Sequence, residues 1–171
     1  VVELCELFAA DPAGPRHLLV LSERVAHLDV LRRKLVKNGL FGDSVAIVKG
    51  GSKESEREHA FRQRVILSSY QYASEGLDVK ILDTLIMASP PPGAKLEQVV
   101  GRVLRPCADK QRPYIVDVVD PFSVFDSTAR KRVRLYTAQG FDQAIICADA
   151  LRDELAATPA AAPREAQEKT A

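Results

Sequence analysis

Short apolar runs alternate with longer amphipathic segments along most of this 171-residue chain. The runs are bounded by glycine, proline or hydroxyl residues, which is typical of strands buried on both faces of a sheet. The segments between them carry apolar residues at helical spacing, as in Val25, Leu28, Leu31 and Leu35. Strands that alternate with helices predict right-handed β-α-β units. We therefore expect an α/β fold with three layers (α/β/α) and a mostly parallel central sheet.

The pattern predicts six strands, a helix after most of them, and one long polar loop, Ser68–Lys80. Ser22 is expected to cap the second helix and Asn38-Gly39 to end it. The expected strands are Leu18–Leu21, Val45–Val48, Val65–Leu67, Thr84–Ala88, Tyr114–Val119 and Phe141–Cys147. The expected helices are Val1–Ala10, the Ser22-capped segment, Lys53–Gln63, Leu96–Pro106, Pro121–Gln139 and Asp149–Ala156.

We divide the chain into an N-terminal helix and linker (1–15), one domain (16–157) and a disordered tail (158–171) that is rich in alanine, proline and charge. The chain starts without methionine and inside a helical pattern, so we expect a piece of a longer protein. The net charge of +1 predicts no global attraction to nucleic acid or membrane. Any nucleic-acid contact must therefore come from a local patch.

Cysteine and histidine show no metal-ligand spacing, and the three cysteines are far apart. These observations exclude a disulfide framework or a zinc site as the organising feature and indicate a reducing, intracellular compartment. No apolar run approaches the 18 residues that indicate a membrane span, so we expect no membrane partner.

The most informative polar pattern lies in the segment Leu96–Pro106. Gln98, Arg102 and Arg105 fall at i, i+4 and i+7 and form one stripe, with Gly101 beside it. A glycine inside a helix costs about 1 kcal/mol relative to alanine, so it needs a reason, such as close approach of a ligand or another backbone. Two guanidinium groups and an amide suit a polyphosphate. The alternative is a surface helix whose arginines face water.

The order Q-x-x-G-R-x-x-R, from Gln98 to Arg105, resembles motif VI of superfamily 2 helicases. The sequence A-S-E-G-L-D-V, Ala73–Val79, resembles motif V of the same superfamily and lies at a similar distance upstream. Two weaker matches precede it in the same order, Leu18–Arg24 to motif IV and Val48–Arg57 to the turn and basic helix that follow. The chain thus resembles the C-terminal RecA-like lobe of a DExD/H-type helicase.

The resemblance implies roles for individual residues. Arg105 and Arg102 would be arginine fingers for ATP, with Gln98 beside the γ-phosphate. Gly76 and Asp78 would face the nucleotide, Asp78 near the ribose. Nucleic-acid backbone contacts would come from Ser22, Arg24, Gly51, Lys53, Ser69, Tyr70 and Gln71.

The sequence contains neither the phosphate-binding G-x-x-x-x-G-K-[ST] pattern nor a metal-binding D-E-x-x box after a buried strand. ATP and Mg²⁺, which the resemblance implies, would thus be held mainly by an N-terminal RecA-like lobe of the same protein, and this chain alone is expected to be inactive. The expected function is the motor lobe of an ATP-dependent helicase or translocase acting on single- or double-stranded DNA or RNA. The alternatives are a non-hydrolysing helicase-like binding or scaffold module and an unrelated flavodoxin-like nucleotide-binding domain.

Overall fold

The computed structural model describes residues 1–91, 95–119, 126–146, 150 and 153. Five strands in these residues form one parallel sheet, as the alternating pattern predicts. The strands are β1 (Leu18–Leu21), β2 (Val45–Val48), β3 (Val65–Ser68), β4 (Thr84–Met87) and β5 (Tyr114–Asp117). Their order across the sheet is β2-β3-β1-β4-β5.

Helices cover both faces of this sheet. They are α1 (Val2–Ala9), α2 (Val25–Lys37), α3 (Glu54–Phe61), α4 (Tyr70–Glu75), α5 (Lys95–Val103) and α6 (Asp126–Ala138). One apolar core joins α1 and α2 to the sheet and includes Cys5, Phe8, Leu28, Leu31 and Leu35. The other core joins α3, α4, α5 and α6 to the opposite face and includes Ala60, Tyr70, Ala73, Val99, Val103 and Tyr136. The three-layer α/β/α prediction is confirmed.

The strand register brings all five strand ends to one level. Leu21 is aligned with Ser68 and with Met87, Val48 with Ser68, and Asp117 with Met87. We call the segments that follow these five residues the carboxyl edge. Ligands of open parallel sheets bind beyond the carboxyl ends of the strands, so this edge is where a site is expected.

The ends of α2 show one correct prediction and one error. Gly39 follows the helix with φ +73°, a left-handed conformation that favours glycine, and the helix ends there as predicted. The predicted cap from Ser22 is wrong, because Arg24 occupies the capping position and no side chain caps the helix. The Ser22 hydroxyl instead accepts the Arg24 N–H at 3.2 Å, inside the turn that precedes the helix.

The segment predicted as the loop Ser68–Lys80 contains the helix α4. Ser69 caps it by accepting the Tyr72 N–H at 3.3 Å. Tyr70, Ala73 and Leu77 are buried at i, i+3 and i+7, which is helical spacing. The abundance of hydrogen-bonding residues concealed this apolar pattern, and the prediction of a loop is wrong for these six residues.

The strand predicted at Phe141–Cys147 is also wrong, because residues 141–146 form no strand. Phe141 packs edge-on against the Tyr136 ring with centroids 6.0 Å apart, and the side chain of Ile145 is fully exposed. Residues 121–125 of the predicted fifth helix, Cys147, most of Asp149–Ala156 and the tail 158–171 lie outside the described residues. In the described part of the chain, no helix is both long enough and apolar enough to cross a membrane.

A buried ionic cluster ties the N-terminal segment to the opposite edge of the sheet. Arg16, only 4% exposed, forms ion pairs with Asp11 and, at 3.6 Å, with Asp83. Its guanidinium also donates to the Arg112 carbonyl at 3.0 Å and lies 4.6 Å from the centre of the Tyr114 ring. The predicted linker is therefore fixed to the sheet at Asp11.

Candidate functional site

Helix α5 carries part of the polar stripe that the sequence predicts. Its apolar residues, Leu96, Val99, Val100 and Val103, are buried against the sheet. Gln98 and Gly101 are exposed on its outer side, and Arg102 is half-buried. The helix ends at Val103 and not at the predicted Pro106, so the exposed Arg105 lies in the turn that follows it. The spacing thus separates a packing face from a polar face, with Gln98 and Arg102 on the polar face.

Arg102 attaches α5 to the segment that resembles motif V. Its guanidinium donates to the backbone carbonyl of Ser74 at 2.6 Å and to that of Leu77. Charge-assisted hydrogen bonds to carbonyls at the end of α4 satisfy acceptors that the helix leaves without partners. The two motif-like segments, 25 residues or more apart in sequence, are therefore in direct contact.

Arg105 forms an ion pair with Asp78. The two side chains are 44% and 67% exposed, so solvent screens the pair. Exposed pairs of this kind contribute about 0–1 kcal/mol. The structure therefore leaves Arg105 free to exchange this carboxylate for a stronger anionic ligand at little cost.

Two glycines border these side chains. A Cβ atom built at Gly101 meets nothing within 4 Å, so the helix has open space beside the polar stripe. A Cβ at Gly76 would lie 3.1 Å from the Tyr72 ring, which is tighter than an ordinary contact. A side chain at Gly76 would therefore need a small shift of the Tyr72 ring, whereas the described residues leave room for one at Gly101.

A groove runs along the carboxyl edge beside α4. Its lining consists of Gly50, Ser69, Gln71, Tyr72, Glu75 and Gly76. Gly51, with φ +84°, turns the chain at one end of it, and the exposed Lys53 follows. The Lys53 N–H donates to the Glu56 carboxylate at 2.8 Å, which fixes the start of α3. Ser69 and Gln71, which the resemblance implies for nucleic-acid contacts, line this groove, and the implied Gly51 directly follows the lining residue Gly50.

Ser22 and Arg24 differ in accessibility. Arg24 is exposed, whereas Ser22 is fully buried, and its hydroxyl lies 3.0 Å from His27 Nδ1. The Glu23 N–H between them donates to the Ser89 hydroxyl at 3.0 Å. Side-chain contact with a ligand is therefore open to Arg24, while the Ser22 hydroxyl is already paired within the turn.

Tyr70 does not face the carboxyl-edge groove. Its side chain is fully buried, and its hydroxyl donates to the Ser89 carbonyl at 2.5 Å. Burial raises the pKa of Tyr70, and the nearby Asp117 carboxylate adds to the effect. The structure contradicts a ligand-binding role for this side chain, because its apolar ring completes the core beneath α4.

Three residues near the site had no distinct sequence signal. Lys110 and Ser89 each bond to two or more of the segments described above. Arg132 belongs to the basic sequence R-K-R-V-R, yet it is buried and forms a bidentate pair with Asp117 at 2.6 and 2.9 Å. Only helical spacing could have indicated Arg132, because it lies one turn before the buried Tyr136.

The donor set fits an anion better than a metal ion. Within residues 1–91, 95–119 and 126–146, no group of three or more His, Cys, Asp or Glu side chains is placed to hold a metal. The guanidinium and amide donors on α5 and in the turn after it, together with the open space at Gly101, are suited to a polyphosphate.

Comparisons with known proteins show the family and the fold of this chain. A family model described as the helicase conserved C-terminal domain matches residues 1–107. A protein of Acanthamoeba polyphaga mimivirus, whose name describes an ATP-dependent RNA helicase, is 35% identical over 105 residues, which cover 61% of this chain and 20% of that protein. A similarly named protein of African swine fever virus is 32% identical over 98 residues, or 57% of this chain and 19% of that protein. The chain therefore spans about a fifth of the length of these relatives.

Among solved structures, the C-terminal domain of the DEAD-box protein Dbp5 superposes with a TM-score of 0.66. The alignment covers 91% of this chain and 87% of that domain at 17% sequence identity. At this level of identity the likeness supports the RecA-like fold.

Proposed function

Because the chain belongs to the family of helicase conserved C-terminal domains, we propose that it is the second motor lobe of an ATP-dependent nucleic-acid helicase or translocase. The observation that supports this most strongly is the meeting of α5 with the loop after α4. Their contact gathers Arg102, Arg105, Gly76 and Asp78 at the carboxyl edge, with Gln98 on the same side of α5.

In this proposal Arg105 acts on ATP that is held by another lobe. Negative charge on the transferring phosphoryl group attracts the guanidinium, which leaves Asp78 and stabilises the transition state. The exchange is favourable because the pair with Asp78 is exposed and weak, whereas a bidentate arginine–phosphate contact in a closed cleft is strong. Hydrolysis removes the attraction, so the two lobes separate again.

Arg102 has a double role in the proposal. A guanidinium carries five N–H donors, and the bonds to Ser74 and Leu77 leave donors for a phosphate oxygen. Gln98 lies one turn earlier on the helix and would meet the same phosphate. Released from Arg105, the Asp78 carboxylate is available to accept from a ribose hydroxyl. Mg²⁺ would neutralise phosphate charge from the partner lobe.

The groove beside α4 is the proposed path of the nucleic-acid backbone. Ser69 and Gln71 line this groove, and the exposed Arg24, Gly51 and Lys53 would supply further donors and positive charge to the same backbone. Ser22 and Tyr70 are both left out of the proposed interface because they are fully buried, and the Ser22 N–H already donates to the Ser68 carbonyl at 3.1 Å. Phosphate contacts of this kind give grip without base recognition. Since the relatives are named as RNA helicases, we propose RNA as the substrate to test first, with DNA as the comparison.

Substitution of Arg105 in the full-length protein tests the motor function. We expect Arg105→Ala to lower the kcat for ATP by about 10³-fold or more, because arginine fingers contribute about 10³ to 10⁵ in other nucleotide hydrolases. RNA affinity, measured by fluorescence anisotropy, should change little. Turnover is measured with saturating single-stranded RNA, and then with DNA.

Arg33→Ala is the matched control. Arg33 is exposed on α2, which packs on the opposite face of the sheet from α5, so turnover should be unchanged. Wild-type turnover by Arg105→Ala would contradict the proposal. Full-length protein without ATPase activity would instead favour a scaffold module. The chain alone should hydrolyse no ATP.

A further inference from the structure

Lys110 makes an unusual set of contacts for a residue in a turn. It lies between α5 and β5, and its side chain is half-buried. The ammonium donates to the carbonyl oxygens of Val103, Arg105 (3.0 Å) and Lys80 (3.3 Å). An ammonium group has three N–H donors, so these three carbonyls use all of them. Burial lowers the pKa of Lys110, consistent with an enclosed position.

The end of α5 explains why a cation is favoured there. The last carbonyls of a helix have no donor within the helix, and positive charge near them is stabilising. Pro106 has no N–H to offer to a preceding carbonyl. Without Lys110, the carbonyls of Val103 and Arg105 would therefore lose their donor at the point where the chain leaves the helix.

The same ammonium joins the two segments that carry the proposed nucleotide contacts. Arg105 supplies one of the carbonyls, and Lys80 lies two residues after Asp78. The backbone of Arg105 and the backbone segment that follows Asp78 are thus both bonded to the Lys110 ammonium. A small backbone shift at Arg105 would move its guanidinium by a larger distance, because the side chain is long.

From these contacts we propose that Lys110 is a positioning residue that fixes the backbone of Arg105, so that its guanidinium reaches the phosphate in the closed motor. This inference rests on the proposed function. It predicts that Lys110 affects turnover through Arg105 and leaves substrate binding almost unchanged.

The test compares variants of the full-length protein. We expect Lys110→Met to lower kcat between about 10-fold and 100-fold, as displacement of a catalytic group by about 1 Å does. The KM for ATP, the RNA affinity and the far-ultraviolet circular dichroism should stay close to wild type. Lys37→Met is the control, because Lys37 is an exposed lysine on α2. Lys110→Arg keeps the positive charge but places its N–H donors in a planar guanidinium. It should therefore lower kcat less than Lys110→Met does.

A double substitution separates positioning from general stabilisation. If Lys110 acts through Arg105, Lys110→Met should cause almost no further loss in the Arg105→Ala background, measured as single-turnover hydrolysis. Two results would overturn this inference while leaving the proposed function intact. One is that Lys110→Met lowers kcat in the Arg105→Ala background by the same factor as in the wild type. The other is that Lys110→Met has a wild-type kcat although Arg105→Ala is inactive. Activity of Arg105→Ala would overturn the proposed function and the inference with it. Should Lys110→Met fail to fold, Lys110→Arg takes its place in every comparison.

Discussion

At the scale of single residues, Arg16 is surrounded by more partners than any other arginine described above. Its charge is nearly excluded from water, and Asp11 and Asp83 compensate it. Burial raises the pKa of Asp83, and the Thr84 hydroxyl, the His17 N–H and Arg16 oppose this effect. The buried Asp83 carboxylate therefore depends on the Arg16 guanidinium to compensate its charge.

We expect Arg16→Met to destabilise the fold by about 3–5 kcal/mol, because it leaves buried carboxylates without a counter-charge. The loss should shrink as the pH falls toward 4, since protonation of Asp83 then removes the buried negative charge. Urea unfolding followed by circular dichroism measures the change. Arg33→Met, at an exposed arginine, should stay within about 0.5 kcal/mol of wild type. Equal stabilities for the two variants would contradict this explanation.

At the scale of elements, α4 decides the shape of the site although it has only six residues. Ser69 begins it, the groove runs along it, and its last carbonyls are held by Arg102. A helix this short has little stability of its own, so its cap and its packing determine whether it forms.

Removal of the cap should therefore be measurable. We expect Ser69→Ala to lower the free energy of unfolding by about 1 kcal/mol, because the Tyr72 N–H loses its acceptor. Ser69→Asp, which can also cap, should retain most of that stability. Chemical denaturation of both variants provides the comparison. Indistinguishable stabilities for alanine and aspartate would show that Ser69 does not act as a cap.

The same element shows how far sequence patterns predict this structure. Period-3.6 spacing located α2 and α5, and buried apolar runs located all five strands of the sheet. The polar side of α5 was predicted correctly for Gln98 and Arg102, but the predicted helix extended to Pro106, whereas α5 ends at Val103. The helix at Tyr70–Glu75 was missed because polar side chains dominate its sequence. The burial of Tyr70 was missed for the same reason. The contacts of Lys110 depend on how the fold brings the carbonyls of Lys80 and Val103 together, and local sequence patterns do not predict this.

At the scale of the whole molecule, buried tyrosine and cysteine side chains limit stability at high pH. Tyr70 and Tyr136 both have raised pKa values, mainly because burial disfavours the phenolate. Burial likewise raises the pKa of the Cys5 thiol to about 12. A raised folded-state pKa means that the unfolded chain releases the proton first. Stability from these groups is full below their unfolded pKa and is lost as the pH rises above it.

We therefore expect the free energy of unfolding to begin to fall above about pH 8.5, the usual pKa of cysteine, and to fall more steeply above about pH 10, that of tyrosine. Each buried tyrosine adds a slope of about 1.4 kcal/mol per pH unit. Tyr136→Phe, which keeps the ring in the core, should remove one such contribution. Urea titrations at several pH values between 8 and 11 measure it. An unchanged alkaline slope in this variant would show that Tyr136 ionises as readily in the folded molecule as in the unfolded one.

The pairing of Arg105 with Asp78 also bears on behaviour in a crowded cell. Free nucleotides, pyrophosphate and inorganic phosphate compete for any bare guanidinium. The Asp78 carboxylate already in place lowers the attraction that such small solutes feel. Under the proposed function, a triphosphate presented by a second lobe would bring enough charge to displace it, and the chain would then favour that ordered encounter over the binding of free anions.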